Sequence, residues 1–351
     1  MANWLKRYVA VLLAGVLALT AAGCNKDDQE DSGESSSSEA ERDPNWPVSM
    51  GDIRIPERPE AIVSLSPALT EILCELGAQD RLIGISDYCD YPESVTDRTR
   101  CGTAQVVDLE QMEELEPDVV FTSSPLTQED TVQLQQMGAE VVVLGYARTL
   151  DELEEVYVTA ATAIDGMLDG EDLGVQVFSE LKKGYQALRS ASETVDRPGA
   201  IFLRMTPLTM ATGDTPLHEW LVNYVGVEND AAGYTGWQYP QEEAVNLYPD
   251  VIFYDVSIDP AYFQSTQVYS TTDAVKQGRC YPVDTVLLER QSARMLDTLM
   301  EMFLQVHPDV ELDFEAPAPE PEPETEPEPD ETSSSEDEEM LSLDDATQIQ
   351  E

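Results

Sequence analysis

The sequence has few basic residues and few residues that ligate metals. It carries 19 Lys and Arg against 70 Asp and Glu, a formal net charge of −51, and only two histidines, His218 and His307. A surface this acidic is repelled by phosphate backbones, which excludes nucleic-acid binding. None of the five cysteines has the Cys-x-x-Cys spacing typical of structural zinc. We therefore expect no metal site.

Motifs of the common enzyme classes are also missing. The chain has no Gly-x-Ser-x-Gly elbow, His-Glu-x-x-His pair, phosphate-binding P-loop or Gly-rich dinucleotide turn. Paired carboxylates do not help, because acidic residues are present throughout the chain. We predict no catalytic residues and no cofactor, and an exported enzyme remains only a remote alternative.

The first 24 residues predict an export signal rather than a membrane span. The apolar run from Tyr8 to Leu19 is long enough for the core of a signal peptide but short for a transmembrane helix. It leads into Thr-Ala-Ala-Gly-Cys, which resembles the lipobox of bacterial lipoproteins, although Ala21 stands where Leu is usual. We predict a lipoprotein signal peptide over residues 1–24 with Cys24 as the lipid acceptor. An ordinary signal peptide is the alternative.

Both ends of the mature chain have the composition of disordered segments. Residues 25–45 are Ser-rich and acidic, and residues 315–351 alternate Pro with Glu before a Ser-rich acidic stretch. Neither segment can bury enough apolar surface to fold. We predict a disordered linker and a disordered tail on either side of a folded body.

The cysteines of the body leave two interpretations open. Cys74, Cys89, Cys101 and Cys280 allow three pairings in an exported protein, and the sequence does not choose between them. Cys89 and Cys101 are near neighbours and form the preferred pair. Four buried thiols without a disulfide are the alternative.

Short apolar runs alternate with helical patterns along the body. We predict strands at 61–65, 82–86, 119–122, 141–144, 200–203 and 251–254. Ser66 and Pro67 are a strong helix start, and helical spacing predicts further helices at 128–137, 171–192 and 217–224. This order predicts an α/β fold of two doubly wound lobes with parallel sheets, joined by a single long helix. The predicted ranges are 46–168 and 196–314 for the lobes and 169–195 for the helix.

One sequence pattern occurs once in each predicted lobe. Glu110 opens the stretch EQMEELEPDVVF, and Glu242 opens EEAVNLYPDVIF. Each stretch predicts a helix that passes through Pro-Asp into a buried strand. A common helix-to-strand connection explains the pattern, since a Glu in the first turn suits the helix dipole. A function repeated on both lobes explains it equally well.

Two further stretches resemble a known family. Ile62-Val-Ser-Leu-Ser-Pro-Ala-Leu-Thr-Glu71 and Ile85-Ser-Asp-Tyr-Cys-Asp-Tyr-Pro92 are similar to signatures of the cobalamin-binding branch of class III substrate-binding proteins of ABC importers. Other branches of that class carry ferric siderophores and haem. The resemblance implies a ligand cleft between the lobes. It also implies that Glu110 and Glu242 dock into Arg-lined pockets of the two permease subunits.

The resemblance and the local composition together indicate candidate ligand-binding residues. Tyr88 and Trp237 fall at or near aromatic contacts of the cobalamin binders, and Arg290 matches a cleft Arg of the family. Tyr239 belongs to an aromatic cluster beside Trp237, and Arg204 is a conspicuous cation in an acidic body. Ordinary packing and internal ion pairs are the alternatives. Where the cobalamin binders use two further Trp residues, this chain has Ala104 and Ser123.

These observations predict a monomeric receptor that is lipid-anchored to the outer face of the cell membrane and delivers its ligand to an ABC permease dimer with ATPase subunits. The expected ligand is a corrinoid, either cobalamin or cobinamide. A ferric siderophore or haem is the alternative within the class. A surface interaction protein is the alternative outside it. A single linking helix also predicts small movements of the lobes.

Overall fold

The computed structural model describes residues 43–312. An antiparallel hairpin, β1 (Val48–Met50) and β2 (Ile53–Ile55), comes first. The N-terminal lobe then contains β3 (Ile62–Ser64), α1 (Pro67–Glu75), β4 (Leu82–Ile85), β5 (Thr99–Arg100), α2 (Leu109–Leu115), β6 (Val119–Thr122), α3 (Gln128–Met137), β7 (Glu140–Val143) and α4 (Leu150–Asp165).

A single long helix, α5 (Asp169–Ser192), follows this lobe. The C-terminal lobe contains β8 (Gly199–Met205), β9 (Thr209–Met210), α6 (Pro216–Trp220) with a π-turn (Leu221–Val225), β10 (Glu228–Asn229), a 3₁₀ helix (Gln241–Asn246), β11 (Val251–Asp255), α7 (Ala261–Ser265), α8 (Asp273–Gln277), β12 (Cys280–Val283), α9 (Thr285–Leu288) and α10 (Ala293–Val306).

Each lobe is built on one five-stranded sheet. The N-terminal sheet has the order β5-β4-β3-β6-β7 and is parallel throughout. The C-terminal sheet has the parallel order β10-β8-β11-β12, and β9 pairs antiparallel with β8. The predicted α/β fold of two lobes with parallel sheets is confirmed.

Several predictions concern residues outside the described range. The signal peptide with Cys24, the linker up to residue 42 and the tail from residue 315 all lie there. Asn45, by contrast, was assigned to the linker but contacts the folded body. Its side-chain oxygen accepts the backbone N–H groups of Leu168 and Asp169 at 3.0 Å each. Among the described residues, no helix has the length and apolarity needed to span a membrane.

The first helix begins as its sequence predicts. Ser66 is the N-cap, with its hydroxyl oxygen 3.5 Å from the backbone N of Leu69, and Pro67 is the first helical residue. Gly77 follows the helix with a φ of +82°, a conformation that favours glycine. The apolar face of α1 is buried against the sheet, as the periodicity requires.

The linking helix α5 packs closely against α4. A Cβ on Gly170 would lie 2.4 Å from the carbonyl oxygen of Ala161, and one on Gly174 would lie 2.6 Å from the Cα of Val158. The two glycines therefore allow a close approach that no larger residue permits. Further along α5, Phe178 and Tyr185 are fully buried in a core that continues through both lobes.

The repeated Pro-Asp has a structural role in both lobes. The Asp118 carboxylate accepts the backbone N–H groups of Glu60 and Ala61 at 2.8 and 2.9 Å, just before β3. Asp250 accepts the N–H of Gly199, the first residue of β8, at 3.3 Å. Each Asp thus secures the beginning of the neighbouring strand. This explains the second half of the repeated pattern.

A cluster of contacts links residues 290–294, which lead into α10, to the N-terminal lobe. We call this cluster the interlobe clasp and define it as residues 290–294 with their partners. At its centre is Glu71 of α1, which is 2 % exposed. Glu71 pairs with Arg290 Nε at 3.2 Å and Arg294 Nη1 at 2.8 Å, and it accepts the Ser292 hydroxyl.

Two further contacts complete the clasp. The side-chain amide of Gln291 accepts the Ala147 N–H at 2.9 Å and donates to the Ala147 carbonyl at 2.6 Å. Glu75, one turn after Glu71 on α1, accepts the Tyr157 hydroxyl and the N–H of Ala293. The lobes are therefore connected by side chains as well as by α5, which supports the expectation of small lobe movements.

The preferred disulfide between Cys89 and Cys101 is not formed. Cys89 Sγ lies 3.1 Å from the hydroxyl of Thr70. Cys101 Sγ packs so closely on Gly84 that a Cβ there would be 2.5 Å away. Burial raises the pKa of the Cys101 thiol to about 11. Both cysteines are buried thiols, whereas Cys74 and Cys280, which the alternative interpretation also placed in the interior, are only partly buried.

The Asp118 contacts predict unequal losses of stability. Replacing Asp118 with Ala removes the acceptor of two backbone N–H groups and should lower the free energy of unfolding by about 1 to 2 kcal/mol. Asp118→Asn keeps a carbonyl oxygen and should lose less. Asp250→Ala removes one longer bond and should also lose less. Urea unfolding followed by circular dichroism measures the three variants, and equal losses for the two Ala variants would contradict the assignment.

Glu75 predicts a pH dependence of stability. Burial raises its pKa from 4.5 to about 7, and the hydrogen bonds from Tyr157 and Ala293 offset this only in part. Folding therefore favours protonation, so this contribution to stability is fully present below pH 4.5 and is lost as the pH rises through 7. Glu75→Gln cannot ionise and should not lose this contribution. Its free energy of unfolding should rise relative to that of wild type by up to roughly 3 kcal/mol between about pH 5 and 8.

Chemical unfolding at several pH values tests this expectation. The exposed Glu114→Gln, which also removes one carboxylate from a helix, serves as the control. A difference between Glu75→Gln and wild type that stays constant with pH would show that Glu75 does not titrate in this range.

Candidate ligand-binding site

The carboxyl ends of the two parallel sheets come together at one place. The loop after β4 contains Tyr88 and Asp90, and α9 after β12 leads to Glu289 and Arg290. Arg290 Nη2 lies 2.9 Å from Asp90 Oδ1, which brings the two loops into contact. Ligands of open α/β sheets bind beyond the carboxyl ends of the strands. This junction is therefore the candidate site.

Tyr88 projects from the N-terminal lobe at this junction. It is 71 % exposed, the value expected of an aromatic ring that is free to stack on a ligand. Arg100 holds the loop by donating to the carbonyl oxygens of Ser86 and Cys89 at 2.9 and 2.7 Å. The loop is thus fixed at its backbone while the ring stays accessible.

Trp237 stands on a turn that is held by two polar side chains. Its φ is +62°, which is unusual for a residue with a side chain. Its N–H donates to Thr212 Oγ1 at 3.2 Å, and the N–H of Gly236 contacts both oxygens of Asp214 at 3.0 and 3.1 Å. Hydrogen bonds from Thr212 and Gly236 lower the pKa of Asp214. The ring is therefore positioned before any ligand arrives.

Arg204 lies against the Trp237 ring and is already paired. Its Cζ is 5.1 Å from the ring centroid, within the range of a cation–π contact. Its Nη2 is 2.9 Å from Glu289 Oε1, and the two side chains are 42 % and 43 % exposed. Arg204, Glu289 and Trp237 thus form one accessible unit, which we call the neutral stack.

Two of the predicted ligand contacts have other roles. Arg290 is 7 % exposed and is paired with both Glu71 and Asp90, so it is a clasp residue rather than a free cation. Tyr239 is also 7 % exposed, and its ring centroid is 4.5 Å from that of Tyr234. It packs in the core of the C-terminal lobe and borders an open cavity there, so only a small part of its side chain is accessible.

An open cavity of about 650 Å³ lies on the C-terminal lobe near the Trp237 turn. Every residue that lines it is uncharged: Pro207, Leu208, Thr209, Gly233, Tyr234, Thr235, Gln238, Tyr239, Pro240 and Gln241. Its polar groups are hydroxyls and amides. The cavity therefore suits a neutral polar group better than an ionic one.

The residues that replace the missing Trp pair add no aromatic surface. Ala104 is buried and Ser123 is partly buried.

The two histidines are engaged elsewhere: His218 Nδ1 lies 3.3 Å from Asn229 Nδ2, and His307 Nε2 lies 3.1 Å from the carbonyl oxygen of Gly226. Within residues 43–312, no group of three or more His, Cys, Asp or Glu side chains is arranged to hold a metal ion.

Glu110 and Glu242 are both exposed, in the first turn of α2 and of the 3₁₀ helix respectively. Exposed apolar residues lie near each of them in the sequence. Val106 is 74 % exposed, while Val245 and Tyr248 are 72 % and 66 % exposed. Exposed apolar side chains are typical of protein contact surfaces, so each lobe has such side chains within a few residues of its exposed carboxylate.

Sequence reasoning missed several residues that build the site. Thr212 and Asp214 hold the Trp237 turn, Arg100 holds the Tyr88 loop, and Glu289 neutralises Arg204. Only the stretch Thr-Gly-Asp-Thr-Pro, which contains the first two, carried a recognisable turn composition. The other two act through contacts between residues far apart in the sequence.

Known proteins are similar to this chain in sequence. The chain is 28 % identical over 312 residues to an uncharacterized ABC transporter substrate-binding lipoprotein, YvrC, of Bacillus subtilis, covering 86 % of this chain and 96 % of the relative. It is 24 % identical over 253 residues to a vitamin B12-binding protein of Vibrio parahaemolyticus, covering 69 % and 88 %.

A solved structure shares the fold. The periplasmic haem-binding protein HutB of Vibrio cholerae aligns with a TM-score of 0.60 at 19 % identity, covering 71 % of this chain and 99 % of that one. A solved vitamin B12-binding protein of Vibrio cholerae also aligns, with a TM-score of 0.59, so the same architecture occurs in proteins described as binding different ligands. The family model for periplasmic binding proteins matches residues 62–287. The chain belongs to the periplasmic binding protein family and is a non-enzymatic component of a transporter.

Proposed function

We propose that this substrate-binding protein of an ABC importer captures a corrinoid, cobalamin or cobinamide, and delivers it to the permease. The observation that carries the proposal is the neutral stack: Trp237 is preorganised as a flat surface, and the charge of Arg204 beneath it is balanced by Glu289. The exposed ring of Tyr88 is a second flat surface on the other lobe.

The chemistry of a corrinoid suits this site. A corrin ring is a broad, partly apolar macrocycle whose rim carries uncharged amides. Aromatic faces bind such a ring, and a few polar groups orient it. The uncharged cavity near Trp237 supplies hydroxyls and amides of this kind. The similarity to a vitamin B12-binding protein adds independent support.

Haem or a ferric siderophore is the second candidate. The similarity in fold to a haem-binding protein favours it, and so does the exposure of Arg204, whose solvent-exposed ion pair an anionic ligand could replace. Iron ligation through histidine has little support, because His218 and His307 contact groups in the C-terminal lobe. Tyr88 would be the available ligand.

We propose that delivery uses one carboxylate on each lobe. Glu110 and Glu242 are exposed, and each would accept an Arg of one permease subunit, a geometry that orients as well as attracts. The monomeric receptor would remain outside the cell membrane through a lipid on Cys24, and the ATPase subunits of the importer would drive transport.

Titration of the purified protein with cyanocobalamin, cobinamide, haemin and ferric siderophores tests the ligand. We expect stoichiometric corrinoid binding, which Trp237→Ala and Tyr88→Ala should each weaken at least about tenfold because each removes a stacking face. Calorimetry and visible absorbance measure affinity. Tyr248→Ala, an equally exposed tyrosine elsewhere, is the control. Binding of an iron chelate alone would assign the receptor to iron uptake.

Reversing the charge of both Glu110 and Glu242 to Lys tests docking. We expect transport into vesicles containing the cognate permease to be lost while ligand affinity is unchanged, because the two carboxylates would contact the permease and not the ligand. Glu129→Lys with Glu301→Lys gives the same change in net charge at other exposed sites and should transport normally. An equal loss of ligand affinity would place Glu110 and Glu242 at the ligand instead.

A further inference from the structure

The neutral stack places an acidic residue where it controls the charge of the ligand surface. Glu289 Oε1 lies 2.9 Å from Arg204 Nη2, on the guanidinium that contacts Trp237. We propose that Glu289 is a specificity-determining residue that balances the charge of Arg204 against the Trp237 ring and so disfavours anionic ligands. This inference rests on the proposed function only in assuming that the Trp237 surface meets the ligand.

Arg204 is the cation whose charge matters at this surface. Two other arginines around the junction have carboxylate partners of their own, and Arg148 donates to the Asp214 carbonyl oxygen at 3.4 Å. Arg290 is paired with Glu71 and Asp90, and Arg294 pairs with Glu71 and lies over the Tyr91 ring at 4.5 Å. Both belong to the clasp. Releasing Arg204 would therefore change the charge presented to a ligand without disturbing the contact between the lobes.

The backbone around Glu289 keeps its carboxylate close to Arg204. On one side, the Asp255 carboxylate accepts the N–H and the hydroxyl of Thr285, which anchors the start of α9 to the end of β11. On the other side, the next residue is Arg290, held in the clasp. Glu289 thus follows a short anchored helix and precedes a buried ion pair. Its position is set by contacts on both sides.

The exposure of the pair explains why it can select between ligands. In water, an exposed ion pair contributes little to stability, so Glu289 is not needed to hold the lobe together. When a macrocycle covers the surface, water leaves and the electrostatic interactions become stronger. A ligand carboxylate would then meet Glu289 as well as Arg204. A neutral amide carries no charge, so Glu289 would not repel it.

The test compares ligands that share a macrocycle and differ in charge. Cyanocobalamin and its monocarboxylate, in which one rim amide is hydrolysed, share the same macrocycle, and so do haemin dimethyl ester and haemin. In whichever of the two pairs it binds, wild type should bind the neutral member more tightly than the anionic one. Glu289→Gln should shift the ratio of the two dissociation constants toward the anion by about fivefold or more, since Arg204 then becomes an unbalanced cation.

Three further variants make the result specific. Glu289→Asp keeps the negative charge and should keep most of the wild-type ratio. Glu180→Gln frees Lys183 from a similar exposed ion pair on α5 and should leave the ratio unchanged. Adding Arg204→Gln to Glu289→Gln should abolish the shift of the ratio toward the anion, because the two residues act as a pair. Circular dichroism confirms that each variant is folded.

An unchanged ratio in Glu289→Gln would overturn the inference. If wild type binds haemin or its ester but no corrinoid, the corrinoid proposal fails, and the haem pair alone decides the role of Glu289. If wild type binds a corrinoid but Glu289→Gln gives no shift, the corrinoid proposal stands and the inference fails. A wild-type protein that binds neither macrocycle overturns both.

Discussion

The ion pairs of one buried carboxylate connect the two halves of this protein. Glu71 of the first helix meets Arg290 and Arg294 just before and at the start of the last helix, and the Ser292 hydroxyl completes the contact. Removing one partner from a buried pair of this kind leaves an uncompensated charge, which costs about 3 to 5 kcal/mol. The arrangement is therefore a constraint on the lobes, whatever its net contribution to folding.

The ligand surface depends on this constraint. Arg290 binds Asp90, two residues from Tyr88, and it directly follows Glu289, which pairs with Arg204 beside Trp237. The clasp thus sets the positions of residues on both lobes that would meet a ligand. It also pairs the charges of Arg290 and Arg294 with carboxylates, as Glu289 pairs that of Arg204 beside Trp237.

Local patterns predicted most of the fold. The apolar runs at Val119 and Val251 became buried central strands, and Ser66 with Pro67 began the first helix. These features depend on residues close together in the sequence. Strands β9 and β10, which have two residues each, gave no such signal because they exist only through pairing with β8. The predicted disulfide failed because cysteines close in sequence packed against Thr70 and Gly84 instead.

The candidate site was predicted less completely, and the reason is side-chain direction. The resemblance indicated Tyr88, Trp237 and Arg290 as ligand contacts, and local composition added Tyr239 and Arg204, but neither showed which of them were buried. Tyr239 packs in the core beside the cavity that it lines, and Arg290 is held in the clasp. The sequence by itself determined the two-lobed architecture, the repeated Pro-Asp and the aromatic residues near the carboxyl ends of the strands, because these follow from local periodicity and composition. Only the tertiary structure decided that Glu289 neutralises Arg204 and that Glu71 joins the lobes, because those charges are brought together by contacts across more than 80 residues of chain.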